Sequence, residues 1–217
     1  MKDYQKINMS ELKQKSPKIV LFDIDGVFIN VPHYFSKNLI EMGYANAKEE
    51  LDKFFSSKEY SECLLGKRDQ LGLADPYLEN FGWQKGALEY FNSQFEFEAQ
   101  FLDREMLELA KSLKDDGVKC ILCTEQDRMR FQFIFENLKF KGIFERGFVS
   151  SDIGFLKRED GFWEHAIKNL KESYGSISLE EIAFFDDKQI NVDTSLKFGL
   201  NSFLFTDIDK FKKDLNF

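Results

Sequence analysis

The chain has 217 residues, too long for a disulfide-stapled peptide and long enough for one mid-sized domain or a core domain carrying a smaller one. Its 38 acidic residues outnumber 30 Lys and Arg, and the resulting net charge of −8 repels phosphate backbones and anionic lipid, which argues against nucleic acid or a membrane surface as partner. An apolar content of 43%, with 25 Phe, excludes intrinsic disorder.

Met1 to Lys18 is polar and of mixed charge, without an apolar stretch of signal-peptide length, and no later run approaches membrane-spanning length. Three cysteines, an odd number, suit a reducing compartment, and the expectation is a cytoplasmic protein. Ile19 to Phe22 is the first of four short apolar runs that read as buried strands. At its carboxyl end Asp23 and Asp25 stand two positions apart, and Gly26 lets the chain turn. Close carboxylates repel, so this pair calls for a cation or a shared proton.

One strand-helix unit takes on the order of 30 residues, yet Asp23 and Thr124 lie 101 positions apart, an excess of roughly 70. The excess maps to residues 34–97. This segment holds helical stretches at Phe35 to Met42, Lys48 to Leu65 and Ala87 to Phe95, breakers at Ala74-Asp-Pro76 and from Phe81 to Gly86, and no strand. It reads as a helical cap domain over the sheet's mouth, with residues 1–33 and 98–217 forming the core. Within it, Phe54, Phe55, Tyr60 and Trp83 read as the cap's own core, and Gly66-Lys67-Arg68 as a solvated charge cluster rather than a substrate clamp. His33 reads as a packing residue at the hinge.

Beyond the insert, a helix runs from Leu102 to Lys114 with Asp103 as N-cap and Gly117 as stop. The second strand, Val118 to Cys123, contains Cys120 and Cys123; with no second CxxC or His pair they read as strand residues, not a zinc or redox motif. Thr124 ends this strand, and its hydroxyl and the amides after it are expected at a helix N-terminus, a geometry suited to phosphate oxygens. After the third strand, Gly147 to Val149, comes Lys157, a point cation able to face a carboxylate and a phosphoryl group. His165, in the following helix, reads as structural. The fourth strand, Ile182 to Phe185, ends in Asp186 and Asp187.

Alternating helix and strand predict an α/β fold, a doubly wound, Rossmann-like parallel sheet with the inserted helical cap, and ligands bind beyond the carboxyl ends of such strands. Asp23, Asp25, Asp186 and Asp187 then converge as oxygen ligands for a hard divalent cation, for which Mg²⁺ is the natural choice.

The ordered set Asp23-Ile-Asp25-Gly26-Val27, Thr124, Lys157 and Asp186-Asp187 resembles the four motifs of the haloacid dehalogenase-like (HAD) hydrolase superfamily, from Ile19 to about Phe198. The long insert matches members with a helical cap after the first motif. The resemblance implies that Asp23 is a nucleophile forming an aspartyl-phosphate and that Asp25 is the acid/base. It implies Mg²⁺ held by Asp23, the carbonyl of Asp25 and Asp187, with Asp186 direct or through water, while Thr124 and Lys157 hold the phosphoryl oxygens. The activity so implied is Mg²⁺-dependent hydrolysis of a phosphomonoester, a small phosphorylated metabolite. A phosphomutase is its neighbour, and a catalytically silent binding relative is kept open by Glu125, which stands where the family often has Asn. A Glu125 side chain turned into the site would repel phosphate; its amide alone would not. Motif three, Lys157-Arg-Glu-Asp160, lacks the family's prolines, which predicts a looser loop around the same lysine.

Overall fold

The computed structural model describes residues 17–175 and 177–215; of the polar stretch read from Met1 to Lys18, residues 1–16 lie outside them. Strand β1 (Ile19–Phe22) is followed by five helices of the insert, α1 (Phe35–Glu41), α2 (Ala47–Phe55), α3 (Lys58–Leu64), α4 (Leu71–Asn80) and α5 (Gly86–Ala99). The chain then alternates α6 (Arg104–Asp115), β2 (Lys119–Thr124), α7 (Arg128–Asn137), β3 (Gly147–Val149), α8 (Ser150–Ile153) and α9 (Asp160–Tyr174). It closes with β4 (Ile182–Asp186), α10 (Gln189–Lys197), β5 (Asn201–Leu204) and α11 (Ile208–Asp214).

The strands form one parallel sheet in the order β3-β2-β1-β4-β5. Along β1, Val20 and Phe22 join one apolar cluster while Ile19 and Leu21 join another, because successive side chains leave opposite faces of a strand. Both faces are covered, so the strand is apolar throughout, as parallel sheets require. Phe22, Phe28, Phe140 and Phe144 interlock on one face, and Trp163 lies edge-on to Phe184 on the other, with ring centroids 4.8 Å apart. Each fully buried Phe contributes about 1.5–3 kcal/mol. Strand β5 has no apolar run to betray it: it is an edge strand whose four residues are all partly exposed.

The insert gathers round a third apolar cluster, which includes Phe54, Phe91, Trp83 and Tyr90, with Phe55 and Tyr60 packed against it. Two details differ from the sequence reading. The stretch expected as one helix from Lys48 to Leu65 breaks at Ser57, whose hydroxyl accepts the Tyr60 amide at 3.0 Å and starts α3. Pro76 does not end a helix but lies inside α4, where burial of Ala74 and Leu78 in the cluster outweighs the missing amide hydrogen bond. The insert rests on α7 through Phe95 and Phe133, centroids 5.6 Å apart. After it, Asp103 caps α6 through the Met106 amide and Gly117 ends that segment at φ +90°, as expected. Among the described residues no helix is long and apolar enough to cross a membrane.

Candidate active site

The carboxyl ends of β1, β2 and β4, with the loop before α9, bring the polar residues together. Asp23 follows β1, and its amide still donates to the Phe185 carbonyl of β4 at 2.9 Å, which fixes the backbone at the sheet's edge. The chain then turns at once: the Ile24 carbonyl accepts the amides of Phe28 (2.8 Å) and Ile29 (3.1 Å). Gly26 sits in this turn at φ +77°, and Asp187 occupies the space that a Cβ there would fill.

Lys157 is 1% exposed, and its ammonium lies 2.7 Å from Asp23 Oδ2 and 2.6 Å from Asp186 Oδ2. Its amide donates to Glu125 Oε1 (2.8 Å), and its carbonyl accepts the Trp163 indole N–H (2.6 Å). Burial alone would discharge the amine; Asp23 and Asp186 outweigh it and hold its pKa above the ordinary lysine value. Burial pushes the Asp23 carboxyl up, Lys157 pulls it down, and Asp186 adds repulsion, leaving it above the usual carboxylate range. Asp186 is fully buried: Asn191 Nδ2 reaches both its oxygens at 3.1 Å and the Lys188 amide donates to Oδ1 at 2.8 Å. Removing one member of such a buried ion cluster costs about 3–5 kcal/mol, because the partners are left uncompensated.

Asp25 has a different set of partners. Arg130, near the start of α7, grips it with a fork, Nη1 to Oδ2 at 2.8 Å and Nη2 to Oδ1 at 2.7 Å, and Gln126 Nε2 donates to Oδ2 at 2.6 Å. Burial works to raise the Asp25 pKa, but the Arg130 charge and these bonds prevail and hold it below the ordinary value. Arg130 also donates from Nε to Glu98 Oε2 at 2.6 Å, at the end of α5.

Thr124 does not sit at a helix N-terminus: α7 starts at Arg128 and is capped by Asp127, which accepts the Arg130 amide at 2.9 Å. The Thr124 hydroxyl is buried beside the ion cluster's strand ends and has no hydrogen-bond partner within the protein, a donor and acceptor left over at the sheet's mouth. The Glu125 carboxylate is engaged by the Lys157 amide. Hydrogen bonds replace the absent prolines of the Lys157 loop, since Glu159 Oε2 also accepts the Leu156 amide at 2.7 Å. The loop is thus fastened, not loose.

A family model, haloacid dehalogenase-like hydrolase, matches residues 17–195. The chain belongs to this hydrolase family. Solved structures share its fold. The HAD family enzyme BT-2542 from Bacteroides thetaiotaomicron superposes with TM-score 0.70 at 18% identity, covering 92% of this chain and 98% of its own. A HAD-like family hydrolase from Porphyromonas gingivalis gives TM-score 0.68 at 16% identity, over 93% and 99%. The HAD-hydrolase YfnB from Bacillus subtilis, solved bound to magnesium, gives 0.63 at 13%, over 94% and 100%. No curated protein matches the sequence.

In this HAD-like hydrolase, Asp23, Asp186 and Asp187 each offer an oxygen within 4.8 Å of the others. With all three carboxylates ionised they exceed the single ammonium of Lys157 by two charges, and a divalent oxygen-seeking cation fits the donor set. Asp187 is the exposed member and has most free coordination capacity; Asp186 already accepts from Lys157, Asn191 and Lys188.

Sequence reading missed Arg130, Gln126 and Glu98. A signal existed for Arg130, which lies four positions before the buried Ile134 on the inward face of α7, where a charge needs a partner. Other candidates lie apart. His33 stacks on Phe97, centroids 5.5 Å apart, and His165 is exposed on α9. Cys120 and Cys123 are buried free thiols within β2. Lys67 is exposed, and Arg68 pairs with Glu62 at 2.5 Å, while Gly66 lies so close to Ser151 that a Cβ would fall 1.9 Å from its carbonyl oxygen. The insert's charged loop therefore touches the core beside the site.

Proposed function

We propose that the protein is a Mg²⁺-dependent phosphomonoesterase that cleaves a small phosphorylated metabolite through an aspartyl-phosphate on Asp23, with the helical insert as its cap. One observation carries this reading: a buried lysine bridges Asp23 and Asp186 while a third carboxylate, Asp187, closes an acidic cluster around the same point. BT-2542 supports it, having been crystallised in complex with magnesium and inorganic phosphate.

Asp23, Asp187, the Asp25 carbonyl and, directly or through water, Asp186 are the groups that would hold Mg²⁺, which when bound screens the repulsion between an anionic nucleophile and an anionic phosphate. The protein does the rest. Asp23 attacks phosphorus as the ester P–O bond breaks, and the leaving oxygen takes a proton from Asp25, which has to gain that proton against the pull of the Arg130 charge. Water then gives a proton back to Asp25 and attacks phosphorus, the Asp23–P bond breaks, and inorganic phosphate leaves. Oδ1 of Asp25 carries one hydrogen bond and Oδ2 two, so Oδ1 is the oxygen with room for the proton. Lys157 and the unpaired Thr124 hydroxyl face the transferred oxygens. The Glu125 carboxylate is tied to the Lys157 amide, which disfavours a silent binding protein.

The test is phosphate release from p-nitrophenyl phosphate with and without Mg²⁺. Release is expected with wild type and Mg²⁺ and lost in Asp23→Asn. An inert wild type, or an Asp23→Asn variant as active as wild type, overturns the reading.

A further inference from the structure

The side chain of Arg130 is 10% exposed, and a guanidinium so enclosed must meet partners on every donor face. It does so on two elements. Both terminal nitrogens fork onto Asp25, at 2.7 and 2.8 Å, while Nε meets Glu98 at 2.6 Å in the last turn of α5. Glu98 is itself held, since Gln94 Nε2 donates to its Oε1 at 2.8 Å. The Asp25 side chain, by contrast, is 43% exposed and stands immediately before Gly26 in the turn, so packing alone does not fix its carboxyl group. What fixes it is Arg130, seconded by Gln126.

We propose that Arg130 is a positioning residue. Anchored by Glu98 where the insert rejoins the core, it aims the Asp25 carboxyl group at the leaving oxygen, so that the end of α5 and the acid/base group are held as one unit. This rests on the phosphomonoesterase reading, within which it adds two residues, Arg130 and Glu98, that touch no reacting atom. A fork is needed for the task, because two parallel bonds set the carboxylate plane, whereas a lysine sets a distance alone.

The test compares Arg130→Lys, Arg130→Ala and Glu98→Gln with wild type on two probes, p-nitrophenyl phosphate and ethyl phosphate, in Mg²⁺. Nitrophenolate departs without a proton and ethoxide does not, so a misaimed Asp25 is expected to cut kcat/KM for ethyl phosphate at least about tenfold more than for p-nitrophenyl phosphate. Thermal melts identify any variant that fails to fold; Glu98→Gln keeps an acceptor for Arg130 and removes one charge, so the folded state remains available for comparison. As a readout besides turnover, fluorine NMR is expected to show a beryllofluoride adduct at Asp23 as in wild type, since that adduct needs no Asp25, and a weakened fluoroaluminate complex, whose axial water does. Equal losses on both esters, or fluoroaluminate binding unchanged in Arg130→Lys, overturn the proposal and leave the phosphatase reading intact. Wild type that neither turns over nor takes up beryllofluoride overturns the phosphatase reading, and this proposal with it.

Discussion

Gly26 and Asp187 compete for one volume: a Cβ on Gly26 would lie 2.4 Å from Cγ of Asp187. The turn after β1 and the loop after β4 are therefore shaped to each other, and the most exposed carboxylate of the acidic cluster owes its position to a missing methyl group 161 residues earlier in the chain.

Gly26→Ala tests this directly. The substitution strains a backbone at φ +77° and displaces Asp187, and the Mg²⁺ concentration that half-activates phosphate release is expected to rise about tenfold or more. A Mg²⁺ titration of activity checks it; an unchanged midpoint would mean that Asp187 contributes nothing to the metal.

Glu125 distinguishes a tether from a repeller. Its carboxylate accepts the Lys157 amide at 2.8 Å, so Glu125→Gln, which keeps an acceptor, is expected to stay within about twofold of wild type, while Glu125→Ala lowers kcat by about tenfold. Steady-state kinetics decide between them. A lower KM in both variants would instead mark Glu125 as a negative group that opposes phosphate.

The thiols give a prediction in pH. Burial raises Cys63 to about 11, Cys120 to about 12 and Cys123 well above the ordinary thiol value. The folded state therefore keeps protons that the unfolded state releases above about pH 8.5, and stability is expected to fall as pH rises from there toward the folded values. Denaturant melts between about pH 7.5 and about pH 10, from below to above the unfolded value, measure the loss. At pH about 8 a disulfide reagent is expected to react with the three thiols in guanidinium and not in buffer; rapid labelling of Cys120 and Cys123 in the native state would reinstate the CxxC as a reactive motif.

Much of the fold was legible because parallel strands covered on both faces must be apolar along their length, and β1 through β4 wrote themselves as short apolar runs, those of β1, β2 and β4 running into the candidate residues Asp23, Thr124 and Asp186. Chain spacing disclosed the insert between β1 and β2 for a similar reason, since one crossover has a characteristic length. Strand β5 escaped, being a half-exposed edge, and α4 was obscured by Pro76, whose cost is met by burial that no local window records.

The sequence by itself determined the alternation of strand and helix and the order of Asp23, Asp25, Thr124, Lys157, Asp186 and Asp187, because both are carried by residue type and by spacing along the chain. Tertiary structure decided who faces whom: Lys157 between Asp23 and Asp186, Asp187 over Gly26, and Asp25 in the grip of Arg130, 105 positions away. Charge and hydrogen bonding fall off within a few ångströms, so such partnerships depend on distances in space, and those exist only once the sheet has brought distant loops to a single edge.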